Sequence, residues 1–460
     1  MQILYVGSDF CSTKALTSLL PKQLLTLGAK VDIIVPHYYG IDEGESPLAR
    51  RLITAHVQMD GREEKVNVFE GRRDTHIRTF YLDNEHLSHR LCLAEDAGIM
   101  GCAVFAHAVC QYIAQVSTRY DVVFCDGLKT AFVPVMMRNI YASDKKLASL
   151  KVVQGLSGIA NKGTIDMNYV HRLGLPTQLA SSEKMEFYGK LSLLKGAYLF
   201  ADELVFPNHD VADLVKNNRG KDIGMEGVLF SKADRIHSIT IGIDKAHLHP
   251  MDASDKAALK SDFVKAHHLS NDPKRPLVAF IGMLNDKSGI DLVNDILDDL
   301  MDRKINLVIC GDGNPKYMEA VESWTQEFKG AVCYISKHPK CEDVKAILEA
   351  SDILLFPSAI DTLDTLALKA QNVACIPVVR LQGATKSTLH NVNDLKTLAE
   401  TDNAFAFANY DSDDFFNAAM DALDLYVQKD AFKQLQKQAV DAVPSIADTA
   451  KQLFDILNHI

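Results

Sequence analysis

The stretch FPSAIDTLDTLALKAQNVACIPVVR, Phe356 to Arg380, links two apolar runs through a turn and a short helical segment. Its turn carries two carboxylates, Asp361 and Asp364, and no glycine. A carboxylate at the end of a buried strand can accept hydrogen bonds from hydroxyl groups, and N–H groups opening the next helix can meet an anion. Asp364 also suits the N-cap of the helix read in TLALKAQN, where its oxygen would accept an orphan N–H. CGDGNP ends another apolar run and sets Gly311, Asp312 and Gly313 where backbone can approach a phosphate-bearing ligand. The same Gly-Asp-Gly turn serves equally as a structural bend. GMLNDKSG, from Gly282, contributes Lys287, and SDFCSTKALTSLLPK contributes Lys14, as candidate cations for a phosphate.

These residues need a frame that gathers strand ends. ILYVGSD, VDIIVPH, YDVVFCDG, LKVVQG and DELVFP are short apolar runs in the first half. PLVAFIG, INLVICGDG, AVCYIS, DILLFPS and CIPVV repeat the pattern in the second, separated by helical segments such as EDVKAILEA. Strand and helix in that alternation predict doubly wound parallel sheets. The polar stretch HPMDASDKAALKSDF marks a junction near residue 245 and divides the chain into an expected first domain, 1–244, and second domain, 245–460. Three helical segments without intervening strands close the chain and are expected to finish the second domain and brace it against the first. Trp324 lies on KYMEAVESWTQEF at a spacing that reads as helix packing.

At 460 residues the chain is long enough for two cores, and 47% hydrophobic with 24% charged residues is ordinary globular composition. A formal charge of −11 argues against nucleic acid or an anionic membrane as the main partner. No apolar run is read as reaching the roughly 20 residues that span a bilayer, and MQILYVGSDF reads as a strand rather than a signal segment. The nine cysteines lack Cys-x-x-Cys spacing and fall partly in apolar runs, as Cys310 and Cys375 do. Reduced, buried thiols and a cytoplasmic protein are therefore expected. His267–His268 and the set His237, His247 and His249 lack the spacing and acidic company of a metal site, so no metal is expected.

Several landmarks occur together and in order: GREEKVNVFEGR, then LGLPTQLASSEKMEFYGKLSLLKGAYLFADELVFPNHDVADLV, then GMEGVL with ITIGID. LVAFIGMLNDKSGIDL, LVICGDGNP and FPSAIDT with IPVVR follow. Over nearly its whole length the chain resembles the bacterial glycogen synthase and plant starch synthase family. That resemblance implies the GT-B fold, two Rossmann-like domains facing a central cleft, with the acceptor side first and the nucleotide-sugar side second. It further implies retaining transfer from ADP-glucose or UDP-glucose to an α-glucan, with no separate cofactor. GREEKVNVFEGR would be a strand pair of the first domain.

The departures from the family's pattern fall on charged and glycine positions. The family's first-loop lysine with Gly-Gly has no counterpart except Lys14. Ser157–Gly158 stands where the family has His-Asn, and DGLK, Asp126–Lys129, where it has His-Asp-Trp-His. Met283 replaces an arginine, Lys287 is one residue out of register, and DTLDT replaces Glu-Pro-x-Gly-Leu. Asp361 then keeps a carboxylate where the family uses glutamate to meet the sugar. Each charge-assisted hydrogen bond to the departing diphosphate is worth ~1.5–3 kcal/mol. A carboxylate ~4 Å from a phosphate charge opposes it by about 4 kcal/mol at an effective dielectric near 20. The expectation is an impaired donor site on a glucan-binding or regulatory protein, acting as a homo-oligomer or beside an active synthase. The alternative is an active transferase with altered donor or acceptor, its cations drawn from Lys14, Lys129 or Lys162. Other sugar-nucleotide chemistry would need a carboxylate pair or a His–carboxylate pair, which the sequence does not mark out.

Overall fold

A computed structural model describes residues 1–8, 16–41, 47–74, 77–159, 161–207, 209–216, 225–246, 248, 250–251, 253–337, 341–359 and 365–460. Lys14, Asp361 and Asp364 lie outside these residues. The chain forms two units, Met1–Thr240 with Ile446–Ile460, and Ile241–Ser445.

The first unit holds β1 (Gln2–Val6), β2 (Lys30–Pro36), β3 (Ala49–Met59), β4 (Arg62–Asp74), β5 (Ile77–Asp83), β6 (Val122–Asp126) and β7 (Lys151–Gly155). Short strands β8 (Thr164–Ile165), β9 (Glu186–Phe187) and β10 (Lys190–Ser192) form a separate small sheet, and β11 (Glu203–Phe206) and β12 (Ile236–Ser238) complete the large one. Its order is β12-β11-β7-β6-β1-β2-β5-β4-β3. The pairs from β12 to β5 are parallel, while β5, β4 and β3 run antiparallel. GREEKVNVFEGR is thus a single strand, β4, and its partners are β3 and β5. The run is continuous and alternating, so nothing in it breaks the strand into two.

The helix Asp96–Gln115 packs across this sheet and is buried over most of its length. By length and composition alone it could cross a membrane, contrary to the expectation that no run reaches that length. Its Gly, Ala and Cys positions allow close approach to the sheet on several sides, which is the composition of an enclosed core helix.

The second unit carries β13 (Leu277–Ile281), β14 (Asn306–Gly311), β15 (Val332–Ser336), β16 (Ile353–Phe356), β17 (Ile376–Arg380) and β18 (Phe405–Phe407). All are parallel, in the order β15-β14-β13-β16-β17-β18. Strand order reverses between β13 and β16, so their C-terminal ends flank the crevice where such sheets receive ligands. Fully apolar strands such as LVAFI, buried throughout, fit a sheet covered by helices on both faces. Trp324 is buried in this unit's core, as helix packing.

The boundaries differ from 1–244 and 245–460. The helix Ile446–His459 belongs to the first unit, where it packs against the helix Leu16–Thr26. Thr240 fixes it: the Thr240 N–H donates to Gln452 Oε1 at 2.9 Å, and the Thr449 hydroxyl donates to the Thr240 carbonyl at 2.9 Å. The amphipathic pattern of this helix requires an apolar surface to cover but does not say which unit supplies it.

Candidate functional site

At the C-terminal edge of the second sheet two loops lock together through their backbones. Leu284 N–H donates to the Asp312 carbonyl at 2.8 Å, and Asn314 N–H returns to the Leu284 carbonyl at 2.8 Å. Only glycine fits this seam. A Cβ on Gly311 would fall 2.0 Å from the Gly282 carbonyl oxygen, and one on Gly313, at φ 149°, 2.5 Å from that of Leu284. The Gly-Asp-Gly turn therefore has a structural duty in full, whatever it also does for a ligand.

The third loop joins the same assembly. The Lys287 carbonyl accepts the Ala359 N–H at 2.9 Å and the Ser358 hydroxyl at 3.3 Å. Arg380 Nη1 donates to the Ala359 carbonyl at 2.9 Å and to Gln382 Oε1 at 3.0 Å, while Gln382 Nε2 donates to the Ser358 carbonyl at 2.8 Å. Tyr410 lies under the guanidinium, 5.8 Å from ring centroid to Cζ, and donates its hydroxyl to Asp291 at 2.6 Å. Burial first, and then Asp291, raise the Tyr410 pKa and keep it a donor. The backbone at Ser358 and Ala359 is thus held by Lys287 and Arg380. On the far side the helix Leu366–Asn372 starts with Thr365 as its N-cap, so the cap falls one residue after Asp364.

Lys287, Gly311, Asp312 and Gly313 meet on this one edge, while Lys14 and Asp361 lie outside the described residues. The Lys287 side chain is exposed. Met283, at the end of β13, is 54% exposed. Arg380 closes the IPVVR run without any residue-type signal of its own; its position at a strand's C-terminal end is what marks it.

The first sheet's edge is built differently. Asp126, at the end of β6, is buried and accepts the Tyr5 hydroxyl at 2.8 Å. Gln154 Nε2 donates to the Gly127 carbonyl at 2.9 Å and reaches Ser157 Oγ at 3.4 Å. Ser157 is itself buried. Lys162 Nζ donates to the Ile159 carbonyl and is half-buried, which lowers its pKa. Both are occupied with their own loop.

Beyond the ends of β2 and β5 the surface opens into two adjoining polar hollows of about 790 and 590 Å3 that share Tyr39, Glu85 and Ser88. Tyr39 is 78% exposed, its ring edge-on to His89 at 5.3 Å between centroids. Arg172 pairs there with Asp96, holding that carboxyl down at about 2. An exposed ring amid carboxylates, amides and guanidinium groups offers a flat apolar face with hydrogen-bonding flanks. The signal in the sequence is HYYG, aromatics directly after a buried strand.

Paired Rossmann-type units with site loops at the C-terminal edge of each sheet define a GT-B glycosyltransferase fold. The starch synthase catalytic domain family matches residues 15–231, and glycosyl transferases group 1 matches residues 264–440. Over nearly its whole length the chain is similar to glycogen and starch synthases. A glycogen synthase from Anaeromyxobacter sp. is 27% identical over 99% of this chain and 98% of its own length. Glycogen synthase 2 of Geobacter sulfurreducens is 27% identical over 96% and 95%. The catalytic domain of starch synthase IV from Arabidopsis thaliana, solved with ADP and acarbose, has the same fold, with a TM-score of 0.87 at 20% identity over 99% of this chain and 98% of that one.

Proposed function

We propose that this protein recognises α-glucan on its first unit and has a weakened nucleotide-sugar site on its second, so that it serves glucan binding or regulation more than glucosyl transfer. The observation that carries the reading is Met283. It stands exposed at the end of β13, where the family resemblance places an arginine, and a thioether has no N–H to give a diphosphate. The polar hollows around Tyr39 support the glucan half of the reading. Loss of one charge-assisted bond costs the leaving diphosphate ~1.5–3 kcal/mol, about tenfold or more in rate.

Lys287 favours a second reading, an active transferase with an altered donor. Its ammonium is exposed on the loop that holds Ser358 and Ala359, within the assembly a diphosphate would have to meet. Calorimetric titration with ADP-glucose, UDP-glucose and a maltooligosaccharide, beside a glucosyl-transfer assay, separates the two. Glucan binding without transfer supports the first reading. Micromolar donor binding with turnover overturns it in favour of the second.

A further inference from the structure

At the opposite, N-terminal edge of the second unit's sheet lies a cavity of about 440 Å3, a size suited to a small metabolite. Four lysines line it: Lys256 and Lys260 from the helix Ala253–Ala266, and Lys429 and Lys433 from the helix Lys429–Ala442. Two carboxylates line it as well, Asp272 and Asp352. Asp352 is already committed, accepting Lys260 Nζ at 2.6 Å and the Leu277 N–H at 2.8 Å through one oxygen. Neither Lys429 nor Lys433 has an ion pair among the described residues.

The remaining donors are aligned with this excess of positive charge. Lys256, 3% exposed, gives two of its three N–H bonds to the carbonyls of Leu348 and Val373, at 3.0 and 2.7 Å. Tyr426 receives Lys260 at 3.0 Å and lies 3.4 Å, ring centroid to Nζ, beneath Lys429, leaving its own hydroxyl proton to give. Burial, with Lys260 and Lys433 nearby, lowers the Lys429 pKa despite the opposing pull of Asp352. A chain of net charge −11 has gathered cations here, and a bound anion would relieve their repulsion.

We propose that this cavity is a binding site for a small phosphorylated metabolite, its phosphate held by Lys429 and Lys433 with the Tyr426 hydroxyl. It is separate from the donor edge at the other end of the strands, and its existence does not depend on the function proposed above. The site also touches that edge mechanically. Lys256 holds the Val373 carbonyl and Gln436 Nε2 holds that of Ala374 at 2.7 Å, fixing the end of the helix Leu366–Asn372, whose N-cap is Thr365.

The test is calorimetric titration of the full chain with inorganic phosphate, glucose 1-phosphate and AMP, with glucose as the uncharged control. The wild type is expected to bind at least one phosphorylated probe saturably. Replacing both exposed lysines, Lys429→Ala with Lys433→Ala, is expected to weaken that binding about tenfold or more, and Lys287→Ala to change it less than about twofold. Circular dichroism and Trp324 fluorescence check that the variants fold. Failure of all three probes to bind, binding untouched by the double variant, or binding lost with Lys287→Ala instead would each overturn the proposal. The last outcome would assign the anion to the donor edge, and a parallel ADP-glucose titration reports on that edge independently.

Discussion

The two C-terminal sheet edges solve the same problem with different materials. In the second unit, loops are joined backbone to backbone: Leu284 to Asp312 and Asn314, Lys287 to Ala359. In the first, a buried side-chain network adds to the backbone bonds, through Tyr5 with Asp126 and Gln154 with Gly127 and Ser157. A backbone seam tolerates almost any side chain facing outward, which is how Met283 can stand exposed beyond β13 without disturbing its loop. A side-chain network ties identity to geometry, since each buried polar atom requires its partner. Away from its seam glycines, substitutions at outward-facing positions of the second edge can therefore alter chemistry without altering shape, while those in the buried network of the first edge alter both.

The strongest way to break this contrast is Gly311→Ala. With the Gly282 carbonyl in the way, it is expected to destabilise the second unit by about 3 kcal/mol or more. Trp324 is the chain's single tryptophan and is buried in that unit, so its fluorescence during urea unfolding reads the effect. Gly127→Ala on the first edge meets nothing within 4 Å and bears only the backbone strain of φ 80° and ψ 176°, about 1–3 kcal/mol. Similar losses for the two would abolish the distinction.

Reliance on buried side chains also predicts acid sensitivity in the first unit. Burial pushes His107 down from 6.5 to about 4, and its Nδ1 lies 3.0 Å from the Tyr141 hydroxyl. The unfolded imidazole takes up a proton near its ordinary value while the folded one stays neutral. The contribution to stability is therefore complete above about pH 6.5 and declines as pH falls toward 4, by about 3 kcal/mol. Hydrogen exchange of the helix Asp96–Gln115 across that range is expected to accelerate as pH falls, after correction for intrinsic rates. His107→Gln is expected to flatten the dependence; an unchanged slope would remove His107 as its source.

The smallest expected effect on stability is that of Met283→Arg, within about 0.5 kcal/mol because the side chain is exposed. Its effect on chemistry sharpens the comparison. If the seam has kept the donor loops in place, one restored cation is expected to strengthen ADP-glucose binding about tenfold. No gain in affinity would mean that the second edge has changed in shape as well as in charge.

Much of this architecture is written locally in the chain. LVAFI, NLVICG and IPVVR are apolar runs bounded by polar or glycine residues, and they emerge as β13, β14 and β17 with few residues to spare. Phe405–Phe407 forms a strand that the sequence does not mark, because three residues at a sheet edge carry too little periodicity to stand out. The candidate site is legible as a set of loops, and the strand order brings Lys287 and Gly311–Gly313 to one edge. The roles within it are less so. Nothing in CGDGNP says that its glycines face another backbone, and nothing in IPVVR says that its arginine holds the Ala359 carbonyl.

The sequence by itself determined what depends on neighbours along the chain: strand and helix segments, two α/β halves, buried thiols, and the landmarks of the family. Tertiary structure decided what depends on distant partners. It gave the last helix to the first unit, turned Ser157 inward, left Tyr39 and Met283 facing outward, and collected four lysines from two helices around one cavity. The physical reason is that periodicity records which face of an element is apolar, whereas burial, charge pairing and cavity shape arise only when faces far apart in sequence meet.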